Sequence, residues 1–463
     1  MRYLKSLVSA VAIAASIGAA AVVQADTKTT KQALTEDYVR EDMPAGFQVV
    51  VAEFEGPVFA DAKGKTLYNW PLRDLRNGPA GEQKGKPTCT DTKYTTNAGL
   101  MSPYPGGMTL PEVETRPTCV QLWPPAYAAA DAKPVGKWTI VDRTDGKKQW
   151  AYEGLALYTS VLDKQIGDVV GGSSLSPRGP DGGLAGDAEG AMREPVGPPT
   201  AMPKQFRIRP FHRGRLLTTV EGRSVYQWDK DADGNSNCTN ACAREWAPIL
   251  APDRVQPQGE WSTVERSPGV KQWAFRKRPV YTHVLDEKTP SQQGGDVPGW
   301  HNVYTQLAPN PPKGFTVQDM VSGQVLADAQ GRTIYIYNCN DDAPDQQSCN
   351  HPAAPQAYRF MICGKGDWQR CLQQFPYVIA AKDAKSDSRI WSVMDIDPKT
   401  GKRAQPGDAG ALHVWAYRDR PVYLCGRDKK PGDVECDAWG EFSGIRNGYK
   451  AFWLRDDFGR NSI

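Results

Sequence analysis

Trp150–Tyr158 reads WAYEGLALY, Trp273–Tyr281 reads WAFRKRPVY and Trp415–Tyr423 reads WAYRDRPVY. In each stretch a Tyr follows the Trp by eight residues, and a second aromatic (Tyr152, Phe275, Tyr417) follows it by two. Even steps along an extended chain return to one face, so each stretch sets Trp, aromatic and Tyr on the same side of a strand pair. A second hairpin recurs upstream: VFADAKGKTLYNW ending at Trp70, LLTTVEGRSVYQW at Trp228 and VLADAQGRTIYIY at Tyr337. Gly64, Gly222 and Gly331 close its turn, where a positive φ is expected, before strands that reach Tyr68, Tyr226 and Tyr335. Phe47 and Phe315, in PAGFQV and PKGFTV, mark the entry to the first and third copies.

The two hairpins predict a mainly β chain of three tandem modules, with boundaries at 45–172, 207–305 and 312–463. At 463 residues the chain has room for three domains of roughly 150 residues. Residues 173–206, rich in Gly and Pro, read as a linker or draped loop, and QLAPNPPK at 306–313 as a shorter joint. Between the hairpins of each copy comes a short helical turn: CVQLWPP, CAREWAP and CLQQFPY place Cys119, Cys242 and Cys371 one helical turn before Trp123, Trp246 and Phe375. The following Pro halts the helix.

The opening MRYLKSLVSAVAIAASIGAAAVVQAD has basic residues, an apolar run and then small residues. It reads as a secretory leader cleaved near Ala25, with a membrane anchor over residues 8–23 as the alternative. No later stretch is long and apolar enough to span a bilayer. The formal charge of +3 loses Arg2 and Lys5 with the leader, so the chain offers no field for nucleic acid or an anionic membrane. Arg207, Arg209, Arg213 and Arg215 are read as solvated strand faces.

Ten cysteines in an exported chain are read as disulfides, paired by neighbourhood within a module: Cys89 with Cys119, Cys238 with Cys242, Cys339 with Cys349, Cys363 with Cys371, and Cys425 with Cys436. Zinc or redox use of these pairs is the weaker alternative.

Taken together, these residues resemble the bacterial secreted repeat of unknown function, predicted lipoproteins carrying a Tyr-x-(Phe/Trp/Tyr)-x-x-Asp motif. The second copy carries the match: Tyr226, Trp228 and Asp231; Cys238, Cys242, Trp246 and Pro248; KQWAF from Lys271; Tyr281 and Asp286; Gly295-Asp296; Trp300-His301. In the first copy Asp74 comes one residue late and much of 77–108 is inserted. The third has Phe375 in place of Trp, a displaced Asp341 and two additional cysteine pairs. The resemblance implies a fold family and carries no activity over; without a lipid-attachment Cys it implies a soluble member.

Tyr68, Tyr158, Tyr226, Tyr281, Tyr335 and Tyr423 each precede an Asp by five or six residues. With Trp150, Trp273 and Trp415 they are the candidate ligand-binding set. The competing reading is structural, a buried hydroxyl or loop amides bonded to the carboxylate at a hairpin end. Sixfold repetition favours architecture over catalysis. Asp229, Asp231 and Asp233 open like a calcium loop, but Asn240 stands where a bidentate Glu belongs. His212, His283, His301, His351 and His413 have no ligand spacing, there is no CxxCH haem site, and Met101 with Met108 fits an exposed loop better than copper. Nucleophile elbows, phosphate loops and His-Glu-x-x-His helices are all missing.

No cofactor is therefore expected. The expected role is that of an exported envelope binding or scaffold protein without catalysis, engaging an envelope protein or small ligand. Alternatives are an accessory of periplasmic oxidation or electron transfer, and an envelope-polymer hydrolase.

Overall fold

The computed structural model describes residues 35–75, 78–93, 96–97, 108–109, 117–171, 193–286, 291–338, 350–354, 356–440 and 448–457. The expected leader, most of the expected linker, Met101 and the Cys339–Cys349 pair lie outside them.

Each module opens on an antiparallel hairpin: Gln48–Ala52 with Gly56–Ala60, Phe206–Phe211 with Gly214–Thr219, and Thr316–Met320 with Gly323–Ala327. The second hairpin pairs Trp138–Asp142 with Lys148–Tyr152, Trp261–Ser267 with Val270–Phe275, and Trp391–Ile396 with Leu412–Tyr417. Tight turns carry the chain out of this hairpin at Glu153-Gly154, Arg276-Lys277 and Arg418-Asp419, all at positive φ. Two successive positive φ values match the right-handed twist of the strands they join.

The two hairpins of a module are related by an approximate twofold that the repeat pattern alone does not disclose. The axis passes between paired tyrosines. Tyr68 and Tyr158 exchange both backbone hydrogen bonds at 2.8 Å, and Tyr335 and Tyr423 do so at 2.7 and 2.9 Å; Tyr226 faces Tyr281 in the same register. A single apolar residue closes each half. Val196 accepts from the Phe59 amide and donates to the Leu67 carbonyl, as Ala126 does with Trp150 and Leu157. Val303 and Ile249 repeat this arrangement in the second module, Phe452 and Val378 in the third.

This closure corrects one boundary. Glu194–Pro195 pairs with Tyr68–Asn69, and Val196 lies in the first module's core, so residues 193–197 are not linker. They lack apolar periodicity because only one of their buried side chains, Val196, is apolar, the other being Arg193. The entry phenylalanine of the second module, Phe206, also falls within the expected linker; it is 3 % exposed and packs on Trp261 and Trp273.

The helical turns form where expected, at Cys119–Leu122, Ala241–Glu245 and Trp368–Gln374. An additional helix, Ala357–Gly364, carries Cys363 to Cys371. Disulfides join Cys89–Cys119, Cys238–Cys242, Cys363–Cys371 and Cys425–Cys436. The last of these occupies a place that the sister modules fill otherwise. Cys425 and Cys436 correspond to Ser160 and Gly171, where a Cβ on Gly171 would lie 2.5 Å from that of Ser160.

Thr35–Ile463 forms one compact unit, in which the modules bury charge and aromatic surface against one another. Arg215 pairs with Glu36 at 2.6 Å, Arg418 pairs with Glu55, and His212 stacks on Phe452 at 3.8 Å. Arg209 is 1 % exposed. Two of the four arginines read as solvated are thus inside or paired, because the hairpin that bears them packs against other parts of the chain. Burial pushes the His212 imidazole down to about 3, so it enters its aromatic seat neutral.

Candidate functional site

The six motif tyrosines are at most 2 % exposed, so they line no open surface. The hydroxyls of five bond crosswise to carboxylates, whereas Tyr423 has the Arg359 guanidinium over its ring at 5.3 Å, and Asp341 lies outside the described residues. Tyr68 donates to Asp163 at 2.9 Å, Tyr226 to Asp286 at 2.5 Å and Tyr335 to Asp428 at 2.9 Å. Each of these carboxylates follows the other tyrosine of its module. The reciprocal bond runs from Tyr281 to Asp231 at 2.7 Å. In the first module Glu82 takes the place of the late Asp74 and accepts from Tyr158 at 2.7 Å. The free carboxylate oxygens hold loop amides: Val170 on Asp163, Asn237 on Asp231 and Glu435 on Asp428. Each acid therefore fastens its own loop to the opposite hairpin, which is an architectural task.

Burial controls the charge of this lattice. It raises all of Tyr68, Tyr226 and Tyr335, lifts Asp163 to about 7 and Asp428 to about 6, and raises Asp231 and Asp286. A folded-state value above the unfolded one means that the native protein holds the Asp163 proton more tightly than the open chain does. Its stabilising contribution is present below about pH 4 and is lost as the pH rises through 7. Asp163→Asn keeps the neutral shape and removes the titration. The stability difference between the wild type and this variant should fall by up to about 1.4 kcal/mol per pH unit between pH 4 and 7, read from urea unfolding at several pH values. Parallel curves for the two proteins would show that Asp163 titrates normally.

Beside the lattice lies a second repeated feature, a three-layer aromatic column. In the second module Trp300 stacks between Trp246 at 3.8 Å and Trp228 at 5.2 Å. In the third, Tyr449 lies on Phe375 at 3.5 Å and near Tyr337 at 5.1 Å. In the first, the Arg193 guanidinium takes the middle layer, 4.8 Å from Trp123 and 4.6 Å from Trp70. Arginine serves there because its planar cation stacks on aromatic faces as a ring would.

The remaining candidates separate. Trp150, Trp273 and Trp415 are all buried, and Trp415 borders an open groove of about 440 Å³ in the third module. Phe315, Tyr377, Val378, Ile379 and Leu424 form its apolar lining. Lys313 and Arg332 stand at its rim; Arg332 is engaged by Asp328 at 2.7 Å, whereas Lys313 is exposed. Ile379 is 60 % exposed. Neither Tyr377 nor Ile379 belongs to the motif set, and sequence reading missed both.

The three acids of the calcium-like loop do not converge. Asp231 turns inward to Tyr281, and Asp229 turns outward to His301 at 2.9 Å. Among the described residues no cluster of three or more His, Cys, Asp or Glu side chains is arranged to hold a metal ion. Among them, too, no helix is long and apolar enough to cross a membrane.

Comparison with curated proteins and with solved structures finds no match. A family model does match: residues 139–172, the second half of the first module, and residues 212–249, the first half of the second, are similar to the secreted repeat of unknown function.

Proposed function

We propose that the protein is an exported, non-catalytic binding protein of the cell envelope, and that its partner engages the groove of the third module. One contrast supports this reading. The repeated Tyr and Asp side chains are bonded to one another inside the modules, while Trp415, Phe315 and Ile379 border open space. A concave, mostly apolar site with a few polar groups at its edge is the usual form of a ligand pocket. The Lys313 ammonium at the rim, exposed and without an ion-pair partner among the described residues, favours a partner with acidic character.

A photo-crosslinking amino acid at position 379, compared with the corresponding positions 250 and 127 of the sister modules, tests the proposal in exporting cells. Leu250 and Tyr127 are also exposed, at 54 % and 46 %, so accessibility is matched. A discrete adduct from 379, absent from 250 and 127, is the expected result. No adduct at 379, or equal adducts at all three positions, would remove the groove from the function.

A further inference from the structure

The three modules enter their first hairpin through the same turn. The Phe47, Phe206 and Phe315 amides donate to the carbonyls of Pro44, Pro203 and Pro312 at 3.3, 3.0 and 3.2 Å. The residue before that proline is Met43, Met202 and Pro311, respectively. Met43 packs against the core that contains Trp138 and Trp150, and Met202 against the core that contains Trp261 and Trp273. In the third module, whose matching core holds Trp391 and Trp415, a proline, Pro311, takes that place. The open groove abuts this very turn at Lys313, Gly314 and Phe315. In the second module the Val220 amide is tied to the Gln205 carbonyl at 2.9 Å; the corresponding Ala329 and Gly314 line the groove.

We infer that the groove is a vacated methionine seat, and that it takes an extended, acidic Met-Pro segment of a partner polypeptide. The inference rests on the binding role proposed above and names the occupant. An unbranched thioether adapts to an irregular aromatic pocket and contacts ring edges favourably, which suits the Phe315 and Trp415 lining. Proline in place of methionine cannot reach inward, because its ring is short and locked to the backbone. The first module supplies the template for charge as well: Glu41 and Asp42 precede Met43, and an occupant of that kind sets acids toward Lys313.

The test is calorimetric titration of the mature chain with a synthetic peptide copying residues 40–49. Saturable binding is expected, weakened about tenfold or more when alanine replaces the peptide's methionine, the loss that goes with one unburied side chain. Pro311→Met should seat the protein's own side chain, raise its melting temperature and abolish peptide binding. Ile379→Asp, at an exposed position, should weaken binding with the melting temperature unchanged. Absence of binding to the unmodified chain, or undiminished binding to Pro311→Met, would overturn the inference. A crosslinked partner at 379 together with a silent peptide would leave the binding role standing and remove the methionine seat. Peptide binding without an adduct in cells would do the reverse.

Discussion

Replacing Trp300 with alanine is expected to cost about 3–5 kcal/mol, the range for removing a large aromatic from a closed core. Trp300 is 4 % exposed and touches both other layers of its column, with the Tyr281 ring edge-on at 5.1 Å. Its loss strips Trp246 of a stacked neighbour and opens the flank of the Tyr281–Asp231 bond. The sister modules supply the control. Trp300→Arg copies the guanidinium of Arg193, and Trp300→Tyr copies Tyr449. Both retain a planar group in the middle layer, so both should fall well short of the alanine loss, with stacking of a desolvated cation worth up to about 2 kcal/mol. Urea unfolding followed by far-ultraviolet circular dichroism measures all three. If arginine proves as damaging as alanine, the middle layer is a site of shape alone, and the correspondence of Arg193 with Trp300 has no energetic content.

The modules could be counted from the chain because Trp and Tyr recur at fixed spacing on one strand face, and that spacing survives in every copy. The internal twofold could not be. Its closing residues, Val196 and Ala126 in the first module, each enter the core as single apolar side chains among prolines, and one residue has no period. The carboxylate partners were misleading for a related reason. Tyr68 lies near Asp74 in sequence but bonds Asp163, 95 positions away, since the twofold places each loop beside the opposite hairpin. Glu82 gives no local sign that it stands in for an acid of the motif. The groove did leave a trace, in the contrast of Met43-Pro44 and Met202-Pro203 with Pro311-Pro312. Aligning the copies on their entry phenylalanines exposes it, and that alignment required recognising Phe206.

Opening Cys89–Cys119 by substituting both residues with alanine is expected to destabilise the protein far more than the same change at Cys238–Cys242. The first bond spans 30 residues and the second 4. In the chain-entropy account, closure of the longer loop is worth about 3.5 kcal/mol and of the shorter about 2 kcal/mol. Local bonding around the two is alike. Arg143 donates to the Cys89 carbonyl and to Gln149, and Arg266 donates to the Cys238 carbonyl and to Gln272. Those glutamines hold the Leu157 and Val280 carbonyls at 2.7 and 2.9 Å. Because this network is common to both modules, the difference between the variants reports mainly on the loop. The first module also depends on its bond for placement, since Cys119 begins the helical turn that lays Trp123 against Arg193, whereas Cys238 and Cys242 already lie close to each other in sequence. Denaturant midpoints for the two variants, measured without reductant, decide the matter. Equal losses would mean that the network around the carbonyls, rather than restriction of the open chain, is what these disulfides protect.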